Sequence, residues 1–212
     1  MSDGYPLVAR LDGKRCVVVG GGGVATRKLA GLIVAAADIL VVAPAASREI
    51  ERLAEDGRLR LERRPFEPSD LNGALLAFAA TDDRVVNQMV AETARARGVI
   101  VNVADDPAAC DFTVPAVVRR GEVTLAISTG GRSPAFARFL REQLQEWLTD
   151  ARCELLELLA ELRRELQAAG RSVDATRWRA ALADESVARA LEAGDRATAR
   201  ARLRHVLTAR RT

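Results

Sequence analysis

Histidine occurs once and cysteine three times in 212 residues, so the chain has few of the side chains that build metal centres and disulfide frameworks. Cys16, Cys110 and Cys153 lie far apart, are odd in number and form no C-x-x-C. They predict free thiols in a reducing compartment. No H-x-x-x-H surrounds His205, which reads as a helix-surface residue, and no metal ligand is assigned. Aromatic residues make up only 4% of the chain, and no recognised nucleic-acid motif is present, so nucleic acid is not an expected partner. No apolar run reaches the ~18 residues that suggest a membrane span. The opening MSDGYPLVARLDGK lacks the basic and apolar regions of a signal peptide. The expectation is a cytoplasmic protein with no membrane contact.

What remains is an ordinary globular composition, 49% apolar and 29% charged, with a net charge of +3. The length suits one substantial core, or a core domain with a smaller appendage. Arginines outnumber lysines and gather towards the carboxy terminus, which reads as a solvated helical surface.

The chain is organised around KRCVVVGGGGVATRK, Lys14 to Lys28. A short β-rich run, Cys16 to Val19, stops at four glycines and passes into a helical pattern from Val24 to Ala37. Gly20, Gly22 and Ala25 fit G-x-G-x-x-G/A in the strand–turn–helix context that gives such a match meaning. Gly20 permits the tight turn, Gly22 lets backbone approach a pyrophosphate, and Ala25 lets helix pack on strand. Gly23 and Val24 complete the first helical turn, whose N–H groups face the anion.

Further along, Ile39–Ala43 is a nearly continuous apolar run, as expected of a parallel strand covered on both faces. Pro44 ends it and Ser47 can cap a helix from Arg48 to about Asp56. Leu59 to Glu62 alternates like an edge strand, and Leu75–Ala80 and Val99–Val103 are two more strands separated by a helix. This order predicts a doubly wound parallel sheet, with a ligand beyond the strand ends at Gly20, Ala43-Pro44, Ala80-Thr81 and Val103-Ala104-Asp105. Phe112–Val118 and Glu122–Ser128 read as an antiparallel pair turning at Arg119-Arg120-Gly121. Two strands alone are marginal, so a second copy of the chain is expected to complete them. Ser133 and Pro134 then start a helix, and the rest is helical, divided by Gly170 and Gly194 into about three helices. Phe136, Phe139, Leu140, Leu144, Trp147 and Leu148, then Leu155 to Leu166, mark its apolar face.

These motifs together resemble the precorrin-2 dehydrogenase family, which also forms the amino-terminal module of siroheme synthases. The resemblance is carried by Val19–Lys28, Ala79–Asp83 with Val86-Asn87, Asn102–Pro107, Phe112, Pro115, Ser128–Pro134, Arg138 and Leu140-Arg141. It implies a Rossmann-like NAD-binding domain over 1–112, a dimerisation and substrate segment of antiparallel strands plus a helix over 113–148, and an all-helical domain over 149–212. The implied reaction passes a hydride from precorrin-2, a tetrapyrrole with eight carboxylates, to NAD+, giving sirohydrochlorin. Some members also insert Fe2+ or Co2+ into that product, and members are homodimers. A chain ending at Thr212 leaves no room for a methyltransferase module, so precorrin-2 is expected from a separate protein.

The resemblance makes Asp105 the catalytic carboxylate, and a carboxylate at a strand end over the nicotinamide can accept a proton. Its neighbour Asp106, before Pro107, is the expected turn residue. Pro44, Ala45, Thr81, Asp82 and Val103 join the glycines as cofactor contacts, with Asp82 reading equally as a helix cap. Asn102, Ser128, Thr129, Gly130, Gly131, Arg132, Ser133 and Arg138 are the substrate contacts, the arginines pairing with carboxylates or standing exposed. No acidic residue follows the second strand, so the residues alone do not choose NAD over NADP. A chelatase with little redox work, and an NAD(H)-sensing module, are the rival readings.

Overall fold

A computed structural model describes residues 4–209; the outermost parts of the expected terminal domains, 1–3 and 210–212, lie outside them. The chain divides into two compact units, one reaching to Val114 and the other beginning at Pro115.

The first unit is a five-stranded sheet of β1 (Arg15–Val19), β2 (Asp38–Val42), β3 (Arg60–Glu62), β4 (Leu76–Ala79) and β5 (Ile100–Val103). All neighbours run parallel in the order β3-β2-β1-β4-β5. Apolar side chains of β1 serve both faces. Val17 and Val19 pack with α3 (Arg84–Ala96), whereas Cys16 and Val18 pack with α1 (Gly23–Val34) and α2 (Arg48–Glu55). That double coverage explains the unbroken Val-rich runs. The strand order reverses between β1 and β4, which opens a crevice at their carboxyl ends.

The first helix is shorter than the sequence pattern suggests. It stops at Val34, with Ala36 at φ +53° and the Ala36 and Ala37 N–H groups donating to the Ile33 and Leu32 carbonyls. This double closure by a left-handed residue is normally glycine's. Ser47 caps α2 as expected, accepting from the Ile50 N–H.

The second unit begins with the hairpin of β6 (Ala116–Arg120) and β7 (Val123–Ile127), antiparallel from Ala116 opposite Ile127 to Arg120 opposite Val123. Arg119 and Arg120 therefore lie in a strand, not in the turn. The turn is Gly121-Glu122, with Gly121 at φ +53°, because a tight hairpin needs glycine at its first central position. Phe112 is likewise no strand residue; it packs edge-on against Phe78, with ring centroids 5.4 Å apart.

The helices are α4 (Pro134–Trp147), α5 (Asp150–Ala168), α6 (Ala175–Leu182), α7 (Glu185–Glu192) and α8 (Arg196–Thr208). Gly170 and Gly194 do separate helices, but Thr149 and Asp184 add two breaks by capping α5 and α7. Leu158, Leu162 and Leu166 of α5 bury against Val187, Leu191, Leu203 and Leu207. Arg196 reaches Glu154 and Glu161 of α5, and Glu165 accepts from Arg200 and Arg204. Phe136, Phe139 and Trp147 are half exposed.

One buried carboxylate braces the long loop after β3, and the Asp70 backbone carbonyl joins that loop to the sheet by accepting from Arg15 of β1 at 3.3 Å. Asp70 accepts from Arg64 at 2.6 and 2.9 Å and from the Glu67 N–H at 2.8 Å. Burial alone would raise its pKa. The bonds from Arg64 and Glu67, with the charges of Arg64 and Arg15, outweigh that and hold it below the ordinary value. A lowered folded pKa contributes stability above the ordinary carboxylate range, lost as pH falls through the folded value. Asp70→Asn is expected to lower the unfolding free energy at neutral pH by about 2 kcal/mol. Urea melts should show that gap closing as pH falls below the ordinary carboxylate range.

Candidate active site

The glycine turn brings three strand ends together. A Cβ on Gly20, whose φ is +123°, would sit 2.3 Å from the Ala80 carbonyl oxygen after β4. One on Gly21 would sit 2.0 Å from the Ala45 oxygen after β2. Both positions admit only glycine. Gly21 is absent from the sequence-derived set, because its requirement comes from the β2 loop rather than from the motif.

Gly22 has no atom within 4 Å of a would-be Cβ. It is the N-cap of α1, with no side-chain cap and no acidic residue in the first turn. The backbone N–H groups of Gly22, Gly23 and Val24 thus stand where a pyrophosphate binds, and buried Ala25 lets α1 close on the sheet. The residues present fit the phosphates of a dinucleotide. Pro44 and Ala45 are exposed at the end of β2. Ser47 is already engaged: its N–H donates to the Gly21 carbonyl at 2.8 Å and its hydroxyl lies 3.2 Å from that of Thr26.

At the end of β4, buried Asn87 holds Thr81 by both backbone groups. Its Oδ1 accepts the Thr81 N–H at 3.1 Å and its Nδ2 donates to the Thr81 carbonyl at 3.0 Å. Of the two readings of Asp82, the cap falls away: Asp83 caps α3, accepting from the Val85 and Val86 N–H groups, and Asp82 stands exposed.

Asp105 follows β5 with φ +58°, a left-handed conformation that aspartate tolerates better than most residues. It is exposed, and among the described residues no hydrogen bond reaches its carboxylate. Asp106 takes the turn instead, accepting the Ala109 N–H at 3.2 Å. Asp105, Val103 and Ala104 line an open depression of about 720 Å³ with Arg84, Asn87 and Gln88 of α3.

The segment behind Asp105 is fastened by side chains. Cys110 Sγ accepts the Val103 N–H at 3.2 Å and faces the Val103 and Asp106 carbonyls. Asn102 is only 6% exposed, and its amide donates to the Phe112 carbonyl at 2.9 Å. Asn102 therefore fastens the loop rather than facing a substrate. Lys28 of α1 holds its ammonium 5.9 Å from the Phe78 ring centroid. Burial lowers its pKa, aided by Arg27, while Cys110 and Asp105 draw it partly back up. Burial, helped by Asp38, pushes the Cys16 thiol up to about 11, so Cys16 is inert packing.

In the second unit, Gly130 and Gly131 are successive left-handed residues, at φ +60° and +75°. Ser128 Oγ accepts the Gly130 N–H, Thr129 Oγ1 binds both backbone groups of Ser133, and Ser133 caps α4. Arg132 and Arg138 are exposed, with no ion pair among the described residues. Nor do three His, Cys, Asp or Glu side chains gather as a metal site there.

Residues 7–116 match the NAD_binding_7 family model, described as NAD(P)-binding, and residues 120–146 match the model of the sirohaem biosynthesis protein central segment. The siroheme synthase of Methylococcus capsulatus is 43% identical over 167 residues, covering 79% of this chain and 35% of that protein. Siroheme synthase 1 of Aeromonas salmonicida is 38% identical over 199 residues, covering 93% of this chain and 42% of that protein. The chain thus spans less than half the length of these curated relatives. A solved structure described as SirC, precorrin-2 dehydrogenase, matches with a TM-score of 0.69 and 28% identity, covering 94% of this chain and 96% of that one. With an open α1 N-terminus at the switch point and a family match over more than half its length, the chain belongs to the NAD_binding_7 family of NAD(P)-binding domains.

Proposed function

We propose that this chain is a cytoplasmic, NAD-dependent precorrin-2 dehydrogenase producing sirohydrochlorin. The carrying observation is the pairing, in one unit, of an uncapped α1 N-terminus with a left-handed Asp105 at the end of β5. The likeness to a solved precorrin-2 dehydrogenase and to siroheme synthases supports the same reading.

The chain's own residues divide the work. Gly22, Gly23 and Val24 would hold the pyrophosphate by their N–H groups, with Gly20 and Gly21 allowing the strand ends to close round it. Pro44 and Ala45 would border the adenosine ribose. The 43–46 loop carries neither an acidic side chain for a ribose 2′-hydroxyl nor a basic one for a 2′-phosphate. Thr81, Asp82 and Val103 would border the nicotinamide, whose chemistry is acceptance of a hydride. Asp105 would take the accompanying proton from the tetrapyrrole, and its freedom from internal hydrogen bonds leaves both oxygens available. Thr129, Gly130, Gly131 and Ser133 would offer backbone and hydroxyl groups to substrate carboxylates, with Arg132 and Arg138 as cations. If Fe2+ or Co2+ is inserted into the product, the metal is a substrate, and Asp105 would accept the displaced pyrrole protons.

The chain is further read as a homodimer. The two-stranded β6–β7 ribbon is marginal by itself, and Phe136 and Phe139 of α4 stack on each other at 6.2 Å while half exposed.

With precorrin-2 generated in situ and NAD+, the purified protein should form NADH and sirohydrochlorin in equal amounts without metal. Asp105→Asn should reduce turnover by about 10²-fold or more while leaving the melting temperature and NAD affinity intact; normal turnover would remove Asp105 from the chemistry. Sedimentation should give a dimer, and Phe139→Glu a monomer.

A further inference from the structure

The helix α3 turns two faces to different surroundings. Val90, Ala91 and Ala94 are buried against the sheet. On the other side Arg84, Gln88 and Glu92, at i, i+4 and i+8, form a polar stripe beside Val85 and Met89. These five side chains make one wall of the depression of about 720 Å³ that Asp105 lines from the end of β5, a volume in the range of small-molecule sites. Two properties of this wall are unusual. Val85 is 73% and Met89 40% exposed, so the wall is apolar on the face where a surface helix is normally polar. Arg84 occupies the first position of α3, where the helix dipole disfavours a cation, and among the described residues it makes no ion pair. Glu92 and Asp106 are engaged, Glu92 accepting from Gln88 at 2.7 Å and Asp106 from the Ala109 N–H. Among the described residues that line the depression, Arg84 is the one cation.

We propose that this wall is the substrate's seat in the first unit: Val85 and Met89 carry an apolar face of the tetrapyrrole, and Arg84 pairs with a carboxylate on its rim. The inference rests on the dehydrogenase reading. Asn102 is spent on the Phe112 carbonyl, which leaves Asp105 without a neighbouring substrate contact in its own unit. A carboxylate takes a proton only from an atom held within hydrogen-bond reach, so the ring has to be seated beside it. A flat apolar ring with acidic arms calls for an apolar surface with a cation at its edge, and the unbranched thioether of Met89 adapts to such a face. Charge sets the direction. Asp105, Asp106 and Glu92 line the same depression and repel a polycarboxylate, so the paired arm lies at the Arg84 end, about 12 Å along the helix from Glu92.

Sirohydrochlorin titrated into the full chain, followed by its absorbance, reads binding apart from turnover. Arg84→Gln should weaken that binding and raise the KM for precorrin-2 about tenfold, with kcat within about twofold and with NAD affinity and melting temperature unchanged. Arg84→Lys, which keeps the charge but not the fork, should recover part of the loss, and added salt should narrow the gap between wild type and Arg84→Gln. Met89→Glu, which sets a like charge in the middle of the wall, should weaken binding at least as much. Wild-type affinity in either Arg84→Gln or Met89→Glu would overturn the inference. So would a loss confined to NAD affinity or thermal stability, or a change in sedimentation, which would make the wall a contact between copies. Should both variants bind sirohydrochlorin weakly while the wild type fails to oxidise precorrin-2, the dehydrogenase reading fails and the seat stands. A wild type that binds no sirohydrochlorin would sink both.

Discussion

Two backbone crossings hold the first unit's arrangement together: the end of β1 passes so near the Ala80 and Ala45 carbonyls that no β-carbon fits at Gly20 or Gly21. The sheet's hydrophobic faces fix which strands pair, but these crossings fix how closely their ends converge. Because the β1 end lies tight between those of β2 and β4, the first turn of α1 points across the crevice instead of away from it. Its N–H groups then collect at one point. The fold's stability and its anion site share a single steric requirement.

Much of this is legible in the sequence, and the reasons are local. Cys16–Val19 followed by glycines, and Ile39–Ala43 followed by proline, carry strand and terminator in adjacent residues. Ser47 and Ser133 announce their helices in the same way. Less legible are features made by segments distant in sequence. Gly21 is required by Ala45, Asn102 is occupied by the Phe112 carbonyl, and Asn87 grips Thr81 from a full turn into α3. Nothing in the short motifs around these residues encodes such partners. The hairpin turn sits at Gly121-Glu122 because glycine's backbone freedom outranks the polarity of the two arginines before it. Asp83 outcompetes Asp82 as cap since only it stands immediately before the first helical residue.

Around Asp105 the chain concentrates rigid supports rather than reactive groups. Asn102, Cys110 and Asp106 spend their polar atoms on backbone, and Phe112 locks onto Phe78. A left-handed non-glycine residue costs of order 1–3 kcal/mol and persists where its neighbours over-determine it. The surrounding bonds meet that condition, so the carboxylate emerges from a stiff frame at an angle that a relaxed loop would not hold.

The helical unit solves a different problem. Its α5 and α8 meet through a leucine seam flanked by arginine–glutamate contacts, with Glu165 shared between Arg200 and Arg204. Exposed pairs of this kind are individually weak and fade as ionic strength shortens the reach of charge, whereas strongly hydrated anions reinforce apolar burial. Chloride only screens the ion pairs of this seam, whereas sulfate screens them and also tightens its leucine contacts. The grip of the last helix becomes a property of which ions surround it, and not only of how many.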